Sequence, residues 1–157
     1  MRTAIVYDSQ YGNTERIAQG IADALREYGE VRTVRIGFAH ADTLQGIDTL
    51  ILGSPTQGWN ATQAMRAFLD QIPAGQLHGL AIACFDTRFQ KPRWMTGSAA
   101  VKMAKRLQRM GFSLIALPES FFVKGSEGPL LDGELERAAI WARMIHNRME
   151  TPHAVTP

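Results

Sequence analysis

The chain has 157 residues, 45% of them hydrophobic and 20% charged, with a formal net charge of +2. That is the length and balance of one globular domain, and it excludes a disordered chain. No apolar run approaches the roughly 18–20 residues of a membrane helix, and Asp8 cuts the N-terminal run too short for a secretory signal.

Ala4-Ile5-Val6-Tyr7 is a candidate buried strand, and residues 14–28 carry Ile17, Ile21, Ala24, Leu25 and Tyr28 at helical spacing up to Gly29. Val31 to Ile36 mixes polar and apolar residues, as an edge strand would. Thr49 to Leu52 is a second apolar run, followed by a predicted helix over about 62–71 with Ala64, Met65, Phe68 and Leu69. Leu80 to Phe85 is a third apolar run. A helix over about 97–110 follows, with Ala100, Met103, Leu107 and Met110 on one face. Residues 112–117 and 120–123 read as a fifth strand interrupted at Pro118 and Glu119. The last helix is expected over about 132–149, with Leu135, Ala138, Ala142, Ile145 and Met149 as its stripe.

Strands alternating with helices imply an α/β fold with a parallel sheet. Strands without polar alternation belong at its centre, covered on both faces. With right-handed crossovers this gives a three-layer, doubly wound, five-stranded sheet of order 2-1-3-4-5. Ligands bind such sheets beyond the carboxyl ends of the strands at the switch point. The loops after residues 8, 53 and 85 are therefore the candidate site.

In the first of these, Ser9-Gln10-Tyr11-Gly12-Asn13-Thr14 joins a strand to a helix. A helix start offers unpaired N–H groups and a positive dipole end, and Ser9 and Thr14 add hydroxyls. This suits a phosphate held without lysine, although an ordinary capped turn has the same composition. The spacing matches neither the nucleoside-triphosphate loop nor the dinucleotide fingerprint.

Residues 7–18, Tyr7-Asp8-Ser9-Gln10-Tyr11-Gly12-Asn13-Thr14-Glu15-Arg16-Ile17-Ala18, resemble the phosphate loop of the flavodoxin family, and Leu52-Gly53-Ser54-Pro55-Thr56 resembles its second flavin loop. Gly128 to Ala138 resembles a C-terminal stretch common in that family. The resemblance covers residues 1–149 as one domain and leaves 150–157 as a loose tail. It implies FMN as cofactor and electron transfer between redox partner proteins as function. Tyr11 stands where electron-carrier flavodoxins usually have Thr; a Tyr there is familiar in the flavodoxin modules of larger flavoproteins.

The resemblance further implies the cofactor contacts. Ser9, Gln10, Tyr11, Gly12, Asn13 and Thr14 would hold the phosphate. Ser54, Pro55, Thr56, Gln57, Gly58 and Trp59 would line the ring, with Trp59 as the stacking aromatic and Gly58 a candidate for a redox-linked peptide flip. The third loop would add Asp86, Thr87, Arg88, Phe89 and Trp94. It has no Tyr for the outer ring face, which leaves Phe89 and Trp94 as alternatives. No residue is assigned as general acid, general base or metal ligand, because the cofactor carries the chemistry.

Charge distribution separates this sequence from an acidic carrier. No Asp or Glu lies between Thr87 and Pro118, a stretch holding Arg88, Lys91, Arg93, Lys102, Lys105, Arg106 and Arg109. Cations near the ring favour its anionic reduced form, so the final reduction potential should be less negative than in an Arg88→Glu, Arg93→Glu variant. The cations at 102, 105, 106 and 109 share one helix face. That face is either solvated or a docking surface for an acidic redox partner or a phosphate-bearing substrate. Nucleic acid and membrane are not expected as partners, and a monomer is.

A lone cysteine, Cys84, cannot form an internal disulfide, and a reducing cytoplasm is the expected location. The alternative function is an FMN-dependent NAD(P)H:quinone-type reductase, which the basic loop favours because nicotinamide cofactors carry phosphates. A signalling receiver shares the strand order, but Gly53-Ser54 stands where its phosphorylated Asp would follow the third strand. A module without flavin is opposed by the intact Ser9–Thr14 loop.

Overall fold

Successive side chains on a strand face opposite sides of a sheet, so a strand apolar at every position must be covered on both. The computed structural model, which describes residues 1–151, meets that demand with two separate cores. Ala4, Val6, Leu50, Leu52, Ile82 and Cys84 point to one side of the sheet, and Ile5, Tyr7, Ile51, Ala83 and Phe85 point to the other. The strands are β1 (Arg2–Tyr7), β2 (Glu30–Arg35), β3 (Thr49–Pro55), β4 (Ala81–Phe89), β5 (Ser113–Leu114) and β6 (Glu119–Val123). Helices α1 (Asn13–Leu25) and α5 (Glu134–Glu150) cover one face, and α2 (Gln63–Asp70) and α4 (Ala99–Arg109) the other. A short helix, α3 (Arg93–Thr96), precedes α4.

All pairings are parallel, in the order β2-β1-β3-β4 with β5 and β6 both on the outer edge of β4. The interrupted fifth strand is thus two short strands in line, and the sheet has the expected 2-1-3-4-5 order. Strand β4 runs further than its apolar core suggests. Pairing with β6, from Phe85 opposite Glu119 to Phe89 opposite Val123, carries it to Phe89. Asp86, Thr87, Arg88 and Phe89 therefore lie on a strand, and the third loop begins after them.

Helix α1 ends at Leu25, short of the predicted 28, because the chain must turn back to place Glu30 opposite Arg2. Gly29 fits this turn because a Cβ there would overlap the Met1 carbonyl. On α2, Ala64 is exposed, while Met65, Phe68 and Leu69 are buried. On α5, Leu135 lies at the exposed edge, and Trp141 completes the buried face instead. Its indole packs edge-on against Phe85 and Phe121, with ring centroids 6.1 Å apart in both pairs. Such aromatic pairs add about 0.5–1.5 kcal/mol each beyond area burial.

Predicted as a tail, residues 150–157 begin with Glu150, the last residue of α5, and the exposed Thr151; the rest lies outside the described residues. No helix among the described residues is long and apolar enough to cross a membrane.

Candidate functional site

Parallel strands all end at one side of the sheet, and the β1/β3 switch point opens a crevice there. In this chain it is a cavity of about 450 Å³, within the usual size of a small-ligand site, ~300–1,000 Å³. It is walled by the segments after β1 and β3 and by the upper end of β4.

The first wall is built around Gly12. At φ +90° it occupies the left-handed region, with nothing within 4 Å of where a Cβ would stand. The turn is tied down by the buried Ser9, whose Oγ accepts from the amides of Gly12 (3.1 Å) and Glu15 (3.3 Å). At the start of α1 the amides of Asn13 and Thr14 have no intrahelical acceptor. Thr14 Oγ1 and Thr87 Oγ1 are 2.8 Å apart in the buried base of the site. A cation sits behind the loop and not in it: the Arg35 guanidinium donates to the Ser9 carbonyl (2.5 Å) and pairs with Glu15 (3.3 Å).

The second wall is a tight hairpin. Gln57 and Asn60 exchange backbone hydrogen bonds of 2.8 and 3.1 Å around Gly58 and Trp59. Both central residues have positive φ, +53° and +63°, as a two-residue hairpin turn of this hand requires. A Trp in that conformation is uncommon, and a bridge from Trp59 to Gly97 holds it. Asp8 braces the two walls from below: it accepts from the Ser9 amide (2.8 Å) and from Thr62 Oγ1 (2.5 Å), the cap of α2. At the rim, Gln57 Nε2 donates to Gln10 Oε1 (2.6 Å).

The third wall rests on a buried acid. Asp86 is fully buried and accepts at one oxygen from Ser98 Oγ (2.5 Å) and the Ala100 amide (3.0 Å). Its other oxygen lies 3.9 Å from Arg88 Nε. Burial pushes its carboxyl above the ordinary range, with the Ser98, Ala100 and Arg88 contacts opposing. Arg88 is itself fastened. Its guanidinium donates to Ser120 Oγ (2.9 Å), the Lys91 carbonyl (2.6 Å) and Thr96 Oγ1 (3.1 Å), and lies over the Phe122 ring at 5.2 Å.

The structure brings Ser9, Gln10, Tyr11, Asn13, Thr14, Pro55, Thr56, Gln57, Gly58, Trp59, Thr87, Arg88 and Phe89 together around the cavity. Gly12 shapes the first turn without lining the cavity. Ser54 and Asp86 are buried beneath it, with Ser54 Oγ accepting from the Thr62 amide (3.1 Å). Trp94 stands outside the lining, 80% exposed. Met95, Thr96, Val123 and Ser126 complete the wall. Met95 and Thr96 sit in the third loop without a stacking or capping pattern to mark them. Val123 and Ser126 reach the site only because β6 pairs with the end of β4.

Among the described residues no group of acids, histidines or cysteines could hold a metal. Cys84 is buried, and burial raises its thiol pKa well above the ordinary value.

These donors fit FMN. Open helix-start amides and hydroxyls suit a phosphate without a lysine, and Trp59, Tyr11 and Phe89 supply flat apolar surface at the same cavity.

Comparison with known proteins agrees. A family model described as flavodoxin matches residues 5–141. The chain is 32% identical over 89 residues to the flavodoxin of Clostridium saccharobutylicum, covering 55% of this chain and 56% of that one. It is 28% identical over 151 residues to an NAD(P)H dehydrogenase (quinone) of Geobacter sulfurreducens, covering 77% and 74%. The chain spans about half the length of the first curated relatives it matches. Oxidised flavodoxin 1 from Bacillus cereus superposes with a TM-score of 0.79 at 23% identity, over 94% of this chain and 98% of that one. With its phosphate-loop geometry, switch-point cavity and matching family model, the chain belongs to the flavodoxin family, whose cofactor is FMN.

Proposed function

We propose that this protein holds FMN in the switch-point cavity and passes electrons between redox partner proteins, as a monomer in a reducing cytoplasm. The observation that supports this best is the meeting of a lysine-free phosphate cradle with an aromatic-walled slot at one cavity. When bound, FMN supplies the electron-transfer chemistry. The chain's own residues bind, orient and shield it. Ser9 fixes the first turn, Asn13 and Thr14 offer amides, and Trp59 presents its indole at the ring-binding end.

The second reading is direct reduction by NAD(P)H with a quinone as acceptor. The Geobacter sulfurreducens relative and the cations at 88, 91 and 93 favour it.

Titration of flavin-free protein with FMN tests the cofactor. Quenching of flavin fluorescence at one equivalent is expected, and a protein that neither purifies yellow nor quenches FMN overturns both readings. Anaerobic mixing of the yellow protein with NADPH then separates them. A carrier keeps its colour for minutes without a partner enzyme, whereas a reductase bleaches at once.

A further inference from the structure

Beside the flavin cavity lies a second depression, of about 330 Å³, between α2 and α4. Its wall carries Arg66, Lys102, Lys105, Arg106 and Arg109, and it begins at Asn60 and Ala61, directly after the Gly58–Trp59 turn. Among the described residues only Arg106 of this group has an acidic partner, Asp70. Among the described residues Lys102, Lys105 and Arg109 make no ion pair, and all three are exposed. From 102 to 109 the stripe extends roughly 10 Å at 1.5 Å per residue, too long for one phosphate and suited to a row of carboxylates.

A second feature continues the first. Trp59, 53% exposed, lines the cavity and bridges to Gly97, and Trp94, 80% exposed, precedes the cavity-lining Met95 in the same short segment. Lys91 and Arg93 are exposed beside Trp94. An exposed aromatic centre with a charged rim is the make-up of a docking face. Trp supplies desolvated contact area, while rim charges steer encounter and select the partner's sign.

We propose that the exposed tryptophans at 59 and 94, with the basic stripe of α4, form the docking face for an acidic redox protein. This rests on the electron-carrier reading and names the partner's chemistry. Docking there would place the partner's redox centre at the open end of the cavity, where bound FMN would supply one electron to an oxidised partner. The long-range field of Lys102, Lys105 and Arg109 sets the rate of encounter, and Trp94 sets the lifetime of the complex.

The test uses ¹⁵N-labelled, FMN-loaded, oxidised protein titrated with succinylated cytochrome c, an acidic probe, and with native cytochrome c, a basic one. Amide shifts in α4 and a shift of the Trp94 indole are expected with the acidic probe only. They should weaken at least tenfold between low and 0.5 M salt, and at least tenfold in a Lys102→Glu, Lys105→Glu variant that binds FMN normally. In stopped flow, reduction of the acidic probe by the chemically reduced protein should show the same salt dependence, with high-salt rates correcting for driving force. Shifts on another face, equal response to both probes, or no effect of the charge reversal overturns the docking face while leaving the carrier reading intact. Failure to bind FMN overturns both.

Discussion

Trp59 and Gly97 meet so closely that a Cβ at position 97 would stand 2.5 Å from the Trp59 Cα and Cδ1. The contact joins the second cavity wall to the end of α3, and through Gly97 to the start of α4. It also explains how a tryptophan is kept at φ +63°. The hairpin needs positive φ at both central residues, and the bridge to Gly97 fixes the second of them.

Gly97→Ala should therefore damage the site from outside the cavity. The residue has φ +69° and ψ −174°, a region nearly confined to glycine. The substitution adds strain of about 1–3 kcal/mol and pushes Trp59 away. Denaturant unfolding should report the destabilisation, and FMN titration a weaker Kd. Unchanged affinity would show that the Trp59 position does not matter to the cofactor.

Gly53→Ala tests the core beneath the site. A Cβ at Gly53 would overlap the Phe85 ring, which is held edge-on by Phe121 and Trp141. Overpacking of this kind costs about 1–3 kcal/mol, and a shift of the chemical denaturation midpoint without a change in slope measures it.

Asp86 gives the stability curve a pH slope. Its folded pKa is raised, chiefly by burial, so between the ordinary carboxylate value of about 4 and the raised one the native state binds more protons than the unfolded chain. Stability from this group is then greatest below the unfolded pKa and falls as pH rises through the folded pKa. Asp86→Asn, which keeps an acceptor for Ser98 and Ala100, should flatten that decline in denaturation curves taken across pH. Asp86→Ala strands both donors and should cost about 1–3 kcal/mol throughout.

Arg88 and Arg93 are not equivalent tests of redox tuning. Arg88 is fixed by Ser120, Lys91 and Thr96, and a Glu there would lie beside the buried Asp86. Lys91 and Arg93 are exposed. The Lys91→Glu, Arg93→Glu variant should therefore fold and shift the final reduction potential to a more negative value, because the anionic reduced ring loses nearby positive charge. Redox titration with no shift, or a positive one, would remove the tuning role.

Cys84 should stay silent to a disulfide reagent in the native protein and react only as the chain unfolds. It is buried in the core and its thiol is held protonated, and only the thiolate attacks. Thiol release measured along a denaturant series should follow the fluorescence transition.

Most of this protein was legible along the chain. The apolar runs at 4–7, 49–52 and 80–85 determined three central parallel strands, because strands without polar alternation need cover on both faces. The order of elements then left few topologies, and the resemblance of Ser9 to Thr14 to a phosphate loop pointed to the turn that the structure builds around Gly12 and Ser9. Tertiary contact decided the rest. Phe89 belongs to β4 because β6 pairs there, which brings Val123 and Ser126 to the cavity from far along the chain. Trp94 read as a ring contact, yet α3 turns it to solvent, while Met95 beside it lines the cavity. Local pattern reports which face of an element is apolar; which side chains meet in space depends on register and on close approaches such as Gly97 to Trp59. Those are properties of pairs of distant segments, and no window of the sequence contains both.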